Sequence, residues 1–298
     1  MKPEIAVLDI QGQYRIHTEH YRSESAHRTI ILVNGSMSTT ASFAQTLKNL
    51  HPALNVVLYD QPYAGQSKPH NPHPSLLTNE LEAHVLLELI EHFNAHYVLS
   101  FSWGGLVALA ALAEQPQRIE KAVISSFSPA INTAMQDYLE RGRHGLARGD
   151  RTLLGHLVND TLGKHLPHLF KRFNFRHIST LADHEYAQMH FHIDHLLASD
   201  YVSRLKAAER IAIPVLFING EWDEYTAAKD ARQFAHPVTN SQFAIVDNTG
   251  HFLDMEHTAA SRHTKSVVLD FLNPVQSPSS AGLPMTPSGE HIGLYTRE

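Results

Sequence analysis

No cysteine occurs in the 298 residues, so disulfides, thiolate nucleophiles and cysteine-bound metals are excluded, and a reducing compartment is compatible with the chain. No apolar run reaches the roughly 18 residues that a membrane helix needs, and Met1-Lys2-Pro3-Glu4 opens without the apolar stretch of a secretory signal. A soluble, cytoplasmic protein without a transmembrane segment is the expectation. Positive charge is scarce: 24 Lys and Arg stand against 30 Asp and Glu, which argues against a general nucleic-acid binder. The phosphate-binding patterns are missing too, since Asn34-Gly35-Ser36 is not a phosphate loop and Gly104-Gly105 lacks the G-x-G-x-x-G spacing of a dinucleotide site. His165 and His168, and His190, His192 and His195, lie close together, yet no H-x-x-x-H pair with a neighbouring glutamate signals a hydrolytic zinc site; no metal is expected.

What is present is an alternation of apolar runs and helical periodicity. Glu4 to Leu8 and Gln13 to His20 read as two strands joined by a turn at Ile10-Gln11-Gly12-Gln13. Thr29 to Val33, Asn55 to Tyr59, Tyr97 to Leu99 and Lys121 to Ser125 are short, continuous apolar runs, as expected of strands covered on both faces. Helical spacing separates them, as in Leu81, Val85, Leu86, Leu89, Ile90 and Phe93. Such βα repetition predicts an α/β fold with a mostly parallel, doubly wound sheet and functional residues at the carboxyl ends of its strands. From Ala130 to Arg210 no β-rich run occurs, which predicts a helical cap inserted into the sheet domain; Pro214 to Asn219 and Gln242 to Val246 resume the strands. The expected organisation is a core in two parts, residues 1–129 and 211–273, a cap over 130–210, and a disordered Pro, Ser and Gly-rich tail over 274–298.

Three strand exits carry candidate chemistry. Val98-Leu99-Ser100-Phe101-Ser102-Trp103-Gly104-Gly105 reads as strand, tight turn and helix, with Ser102 in the middle position of the nucleophile elbow G-x-S-x-G and Ser100 in place of its first glycine. A helix N-cap is the competing reading of Ser102. Asp223 follows a later strand and His251 the one after it. A serine hydroxyl needs a base to take its proton, and the base needs an acid to orient it; the order Ser102, Asp223, His251 is that of the α/β-hydrolase triad. Glu221 and Asp254 are lower-ranked alternatives for the acid. For a developing oxyanion, the backbone N–H of Trp103 and that of Ser36, beside the permissive Gly35, are the candidate donors. Asp60, at another strand exit, is expected to shape the pocket floor and brace the Asn34 loop. Between Glu140 and His177 eight Arg or Lys face three acidic residues, a positive face suited to an anionic small molecule or an acidic partner.

Several long strings, among them Asp60-Gln61-Pro62-Tyr63, Ser100 to Gly105, Lys171-Arg172-Phe173-Asn174, Tyr186 to His192, Asp223-Glu224-Tyr225-Thr226 and Gly250 to Asp254, closely resemble the bacterial (R)-3-hydroxyacyl-acyl-carrier-protein to CoA transacylases. The resemblance extends to about Asn273. It implies an α/β-hydrolase fold, a serine acyl-enzyme on Ser102 with Asp223 and His251, no covalently bound cofactor, acyl carrier protein as the donor's carrier, CoA as acyl acceptor, and a supply of precursors for medium-chain polyhydroxyalkanoates. Asn34, Gly35, Lys171, Arg172 and His192 join as expected substrate contacts. Two further activities stay open at this point: a thioesterase releasing the free 3-hydroxy acid, and, through a more distant likeness, a synthase joining two 3-hydroxyacyl chains into the lipid part of rhamnolipids. Related acyltransferases carry a histidine with an acid five positions on; here Ala182 stands at that distance from His177, with Asp183 one residue beyond, so His177 is given no catalytic role.

Overall fold

The computed structural model describes residues 2–72, 75–198 and 201–272; the tail expected over 274–298 lies outside the described residues. Its centre is an eight-stranded sheet of β1 (Glu4–Ile10), β2 (Tyr14–Tyr21), β3 (Thr29–Val33), β4 (Asn55–Tyr59), β5 (Tyr97–Phe101), β6 (Lys121–Ser125), β7 (Val215–Gly220) and β8 (Ser241–Val246), in the order β1-β2-β4-β3-β5-β6-β7-β8. β2 runs antiparallel to both of its neighbours, β1 and β4, and the remaining pairs are parallel. Parallel neighbours need crossovers over the sheet faces, which is why β3 is buried along its whole length.

Alternation along the central strands divides the core in two. Ile31, Val33, Val57, Val98, Ile124 and Phe217 point to the face covered by α2 (Asn79–Phe93) and α3 (Gly104–Ala113). Their sequence neighbours Ile30, Leu32, Val56, Leu99, Val123 and Ile218 point to the face covered by α1 (Ala44–Leu50) and by the last helix, α10 (Thr258–Leu272). Each fully buried aliphatic side chain of this kind contributes about 1.5–3 kcal/mol against exposure, so a one-residue slip of any strand would be costly.

Between β6 and β7 the chain forms α4 (Thr133–Ala147), α5 (Arg151–Asp160), α6 (His168–Ser179), α7 (Asp183–Ala198) and α8 (Tyr201–Ala208). Tyr138, Leu154, Leu157, Ile178, Met189 and Ile193 give these helices an apolar core of their own, closed from the sheet domain by Tyr225. The helix after β7 is short: α9 (Ala228–Ala231) passes directly into a 3-10 turn. Among the described residues no helix is long and apolar enough to cross a membrane.

Candidate active site

The turn after β5 holds Ser102 at φ +52°, in the left-handed region that L side chains disfavour, and lifts it off the strand end; its N–H donates to the Ser125 carbonyl at 2.9 Å. Gly104 makes that turn possible. A Cβ there would lie 2.6 Å from the carbonyl oxygens of Val33 and Asn34, so only glycine lets the elbow close on the loop after β3. Gly220 does the same at the end of β7, where a Cβ would meet the Gly250 carbonyl oxygen and so keep the loops of Asp223 and His251 apart.

These close approaches bring three side chains into one chain of hydrogen bonds. His251 Nε2 lies 3.0 Å from Ser102 Oγ, and His251 Nδ1 lies 2.8 Å from Asp223 Oδ2. Asp223 and His251 are buried at 3 % and 2 % exposure, so water does not compete for the pair. Asp223 also accepts from the Thr226 hydroxyl at 2.5 Å and from the N–H groups of Tyr225 and Thr226 at 3.0 and 3.1 Å. Burial works to raise its pKa, but the His251 charge and the bonds from His251 and Thr226 outweigh it and hold the carboxyl below its ordinary value. The His251 loop is fixed from behind: Ser126 Oγ donates to the His251 carbonyl at 2.6 Å, and Glu256 accepts from the N–H groups of Gly250 and Phe252 at 2.7 and 3.1 Å. Thr226, Ser126 and Glu256 escape the reading of the sequence. Only Thr226, three residues after Asp223 at a helix entry, leaves a local signal there.

Ser36 and Trp103 flank Ser102, and among the described residues neither backbone N–H has a hydrogen-bond acceptor. Asn34 Nδ2 donates to the Tyr59 carbonyl at 2.9 Å, which holds the Ser36 loop against β4. Asp60 does not line the cavity and so forms no part of its floor; it braces the end of the Asn34 loop, accepting from Thr40 N at 2.8 Å, and the turn after β4, accepting from Gln66 N at 2.7 Å. A cavity of about 460 Å³ opens over Ser102 and His251, within the range of small-molecule sites. Asn34, Gly35 and Ser36 line it from the core, Leu99, Val123 and Ile218 from the sheet, and Tyr138, Val158, Phe170, Phe173 and His177 from the inserted helices. Phe170 and Phe173 are 39 % and 60 % exposed, which puts the mouth at α6.

The structure separates the other expected contacts. Lys171 and Arg172 stand on α6 beside the mouth but do not line the cavity; Lys171 Nζ donates to the Lys164 carbonyl at 2.7 Å. His192 lies outside the lining as well, buried behind Trp103, because α7 turns this face toward α2. Burial lowers its pKa to about 4, so the ring is neutral near pH 7. His177, left without a role, does line the cavity, its Nε2 at 2.7 Å from the Met37 carbonyl. Asp254 pairs with the Thr46 hydroxyl at 2.6 Å and Glu221 with Asn248 N at 2.8 Å, so neither contacts His251. No group of three or more His, Asp or Glu able to hold a metal occurs among the described residues.

The model of the alpha/beta hydrolase fold family matches residues 28–258. The chain belongs to that family. Within it the chain falls among the (R)-3-hydroxyacyl transacylases: it is 60 % identical over 292 residues to the (R)-3-hydroxydecanoyl-ACP:CoA transacylase of Pseudomonas putida, covering 98 % of this chain and 99 % of the relative. The protein of the same name from Pseudomonas aeruginosa is 57 % identical over 274 residues, covering 92 % and 91 %. Among solved structures, the alpha/beta hydrolase MGS-M2 from a deep-sea metagenome superimposes with a TM-score of 0.73 at 18 % identity, over 93 % of this chain and all of that one. At that identity it shows the hydrolase fold alone.

Proposed function

We infer that this member of the transacylase family moves a medium-chain (R)-3-hydroxyacyl group from acyl carrier protein to CoA through an ester on Ser102. The observation that carries the reading is the unbroken Ser102–His251–Asp223 chain at the floor of a largely apolar cavity; the activity named for the close relatives supports the choice of substrates. Ser102 Oγ attacks the thioester carbon while His251 Nε2 takes its proton. The C–S bond breaks, His251 returns the proton to the departing pantetheine sulfur, and an ester remains. The CoA thiol then attacks that ester, giving its proton to His251, and the C–O bond breaks as His251 reprotonates Ser102. Asp223 accepts from His251 Nδ1–H throughout and stabilises the imidazolium, and the N–H groups of Trp103 and Ser36 receive the oxyanion of both steps.

In this reading residues 130–210 are the cap and residues 1–129 and 211–273 the core. Asn34 and Gly35 shape the wall beside the reacting carbon. Lys171 and Arg172 steer the two anionic carriers to the mouth without touching the acyl chain. A cytoplasmic location follows from the reading, since both carriers are cytoplasmic.

The deciding experiment supplies labelled 3-hydroxydecanoyl carrier protein with and without CoA, quenches early and weighs the protein. An adduct on Ser102 and acyl-CoA as the main product are expected. Free 3-hydroxydecanoate in equal amount with or without CoA would replace the transacylase with a thioesterase, and the two-chain ester as main product would replace it with a chain-joining synthase.

A further inference from the structure

One face of α7 touches both residues that supply the oxyanion donors. Met189 and His192 are three positions apart and so lie on the same side of the helix. Ser36 Oγ donates to Met189 Sδ at 2.7 Å, and the His192 ring stacks on the Trp103 indole with centroids 4.3 Å apart and planes at 21°. Neither Met189 nor His192 lines the cavity, so whatever they do for the reaction passes through Ser36 and Trp103.

The contacts are backed on both sides. Gln188 holds the two backbone groups of Leu77, accepting from its N–H at 2.9 Å and donating to its carbonyl at 2.8 Å. Gln188 Nε2 also lies 2.6 Å from His192 Nε2, and that ring nitrogen stands 3.2 Å from the Leu77 carbonyl and 3.4 Å from Glu82 Oε1, so the ring is fixed from the Leu77 loop and from α2 together. On the core side, Trp103 Nε1 donates to Glu82 Oε2 at 3.2 Å; Glu82, on α2 and fully buried, also accepts from Tyr63 OH at 2.7 Å. Trp103 is thus gripped between a cap ring and a core carboxyl, and Ser36 is held by the next side chain along the same cap face.

We propose that α7 sets the spacing and aim of the two oxyanion N–H groups, with Met189 and His192 as positioning residues and Glu82 as the counter-anchor in the core. This rests on the assignment of Ser36 and Trp103 as donors. Such donors act only when they sit about 2.7–3.1 Å from the place the oxyanion will occupy, and a displacement on the order of 1 Å can cost roughly a hundredfold in rate. The Ser36 loop carries no regular backbone ladder of its own, and Met37 beside it is at φ +55°, so its aim depends on what it is packed against.

The test compares wild type with Met189→Ala, Met189→Leu, His192→Ala and His192→Phe. Each is assayed for kcat and KM on 3-hydroxydecanoyl carrier protein, for inhibition by an alkyl trifluoromethyl ketone, whose hemiketal oxyanion occupies the hole, and for thermal midpoint. Met189→Ala and His192→Ala should lower kcat by about 10- to 100-fold with KM within about threefold. They should weaken the ketone by the same factor and move the midpoint by only a few degrees. His192→Phe, which keeps a ring on Trp103, should recover most of the loss, whereas Met189→Leu, which keeps the volume but removes the sulfur acceptor, should recover little. A kcat loss with ketone affinity unchanged, or a loss seen only in KM, would overturn the proposal. Wild type that forms no adduct between the ketone and Ser102 would instead overturn the functional reading beneath it.

Discussion

The exits of β5, β7 and β8 and the inserted helices build one cavity by different means. At the strand exits each functional side chain is held by backbone that has no alternative: Ser102 by a left-handed turn, Gly104 by a contact no Cβ could share, Asp223 by two N–H groups and a hydroxyl. The inserted helices contribute through side-chain packing, with Phe170 and Phe173 at the mouth and Met189 and His192 behind the site. On the proposed function, the chemistry would sit at the backbone-held strand exits and the contacts with the acyl chain on the side-chain-built wall of the inserted helices.

The sharpest way to break that division is to remove the proposed chemistry without disturbing the packing. Ser102→Ala and Asp223→Asn should each reduce turnover by about 10⁴-fold. Their melting curves should stay within a few degrees of wild type, because Ser102 and Asp223 are held by bonds that the variants largely retain. Near-normal turnover in Ser102→Ala would move the reaction elsewhere in the cavity.

A smaller effect is expected at the seam between the regions. Burial pushes the Glu82 carboxyl up to about 7, against the downward pull of Tyr63 and Trp103, so the folded protein binds a proton there that the unfolded chain has released. With the folded value raised, its contribution is complete below the ordinary carboxylate range and is lost as pH rises through about 7. Melting of wild type and Glu82→Gln at pH 5 and pH 8 measures this. The variant should gain on wild type by several degrees between the two, and a gap that does not change with pH would mean that Glu82 carries no such linkage.

The smallest effect should come from the surface beside the mouth. Reversing Lys171 and Arg172 to glutamate should slow capture of the carrier protein by a few-fold at low salt, with the difference vanishing as ionic strength rises. Stopped-flow association across a salt series measures it. Equal rates at every salt concentration would assign these charges to solubility.

The same division governs how much of the molecule is legible in its sequence. The run Thr29 to Val33 and its counterparts announce buried strands because continuous β-rich apolar sequence has few other uses, and candidates standing just beyond such runs must gather at one edge of a parallel sheet. Helices with mixed faces carry less information. Lys171 and Arg172 share a helix with the lining residues Phe170 and Phe173, and only packing decides which way each turns. His192 and Glu82 look like ordinary members of amphipathic helices, since the partners that define them, Trp103, Tyr63 and Leu77, are far away in the sequence. His177 lacks an acid at the expected spacing, yet it stands on the cavity wall, because that place depends on how α6 meets the Met37 loop.

The left-handed backbone at Ser102 also bears on how this protein can be changed. An L residue there gives up about 1–2 kcal/mol that glycine would recover. Any campaign that selects for heat resistance alone therefore pulls position 102 toward glycine, and with it toward a well-folded protein without the hydroxyl on which the proposed ester would form. Under mutational drift the serine is kept against the stability gradient only while turnover itself is under selection, so a hardened version of this enzyme must be evolved with the reaction as the gate.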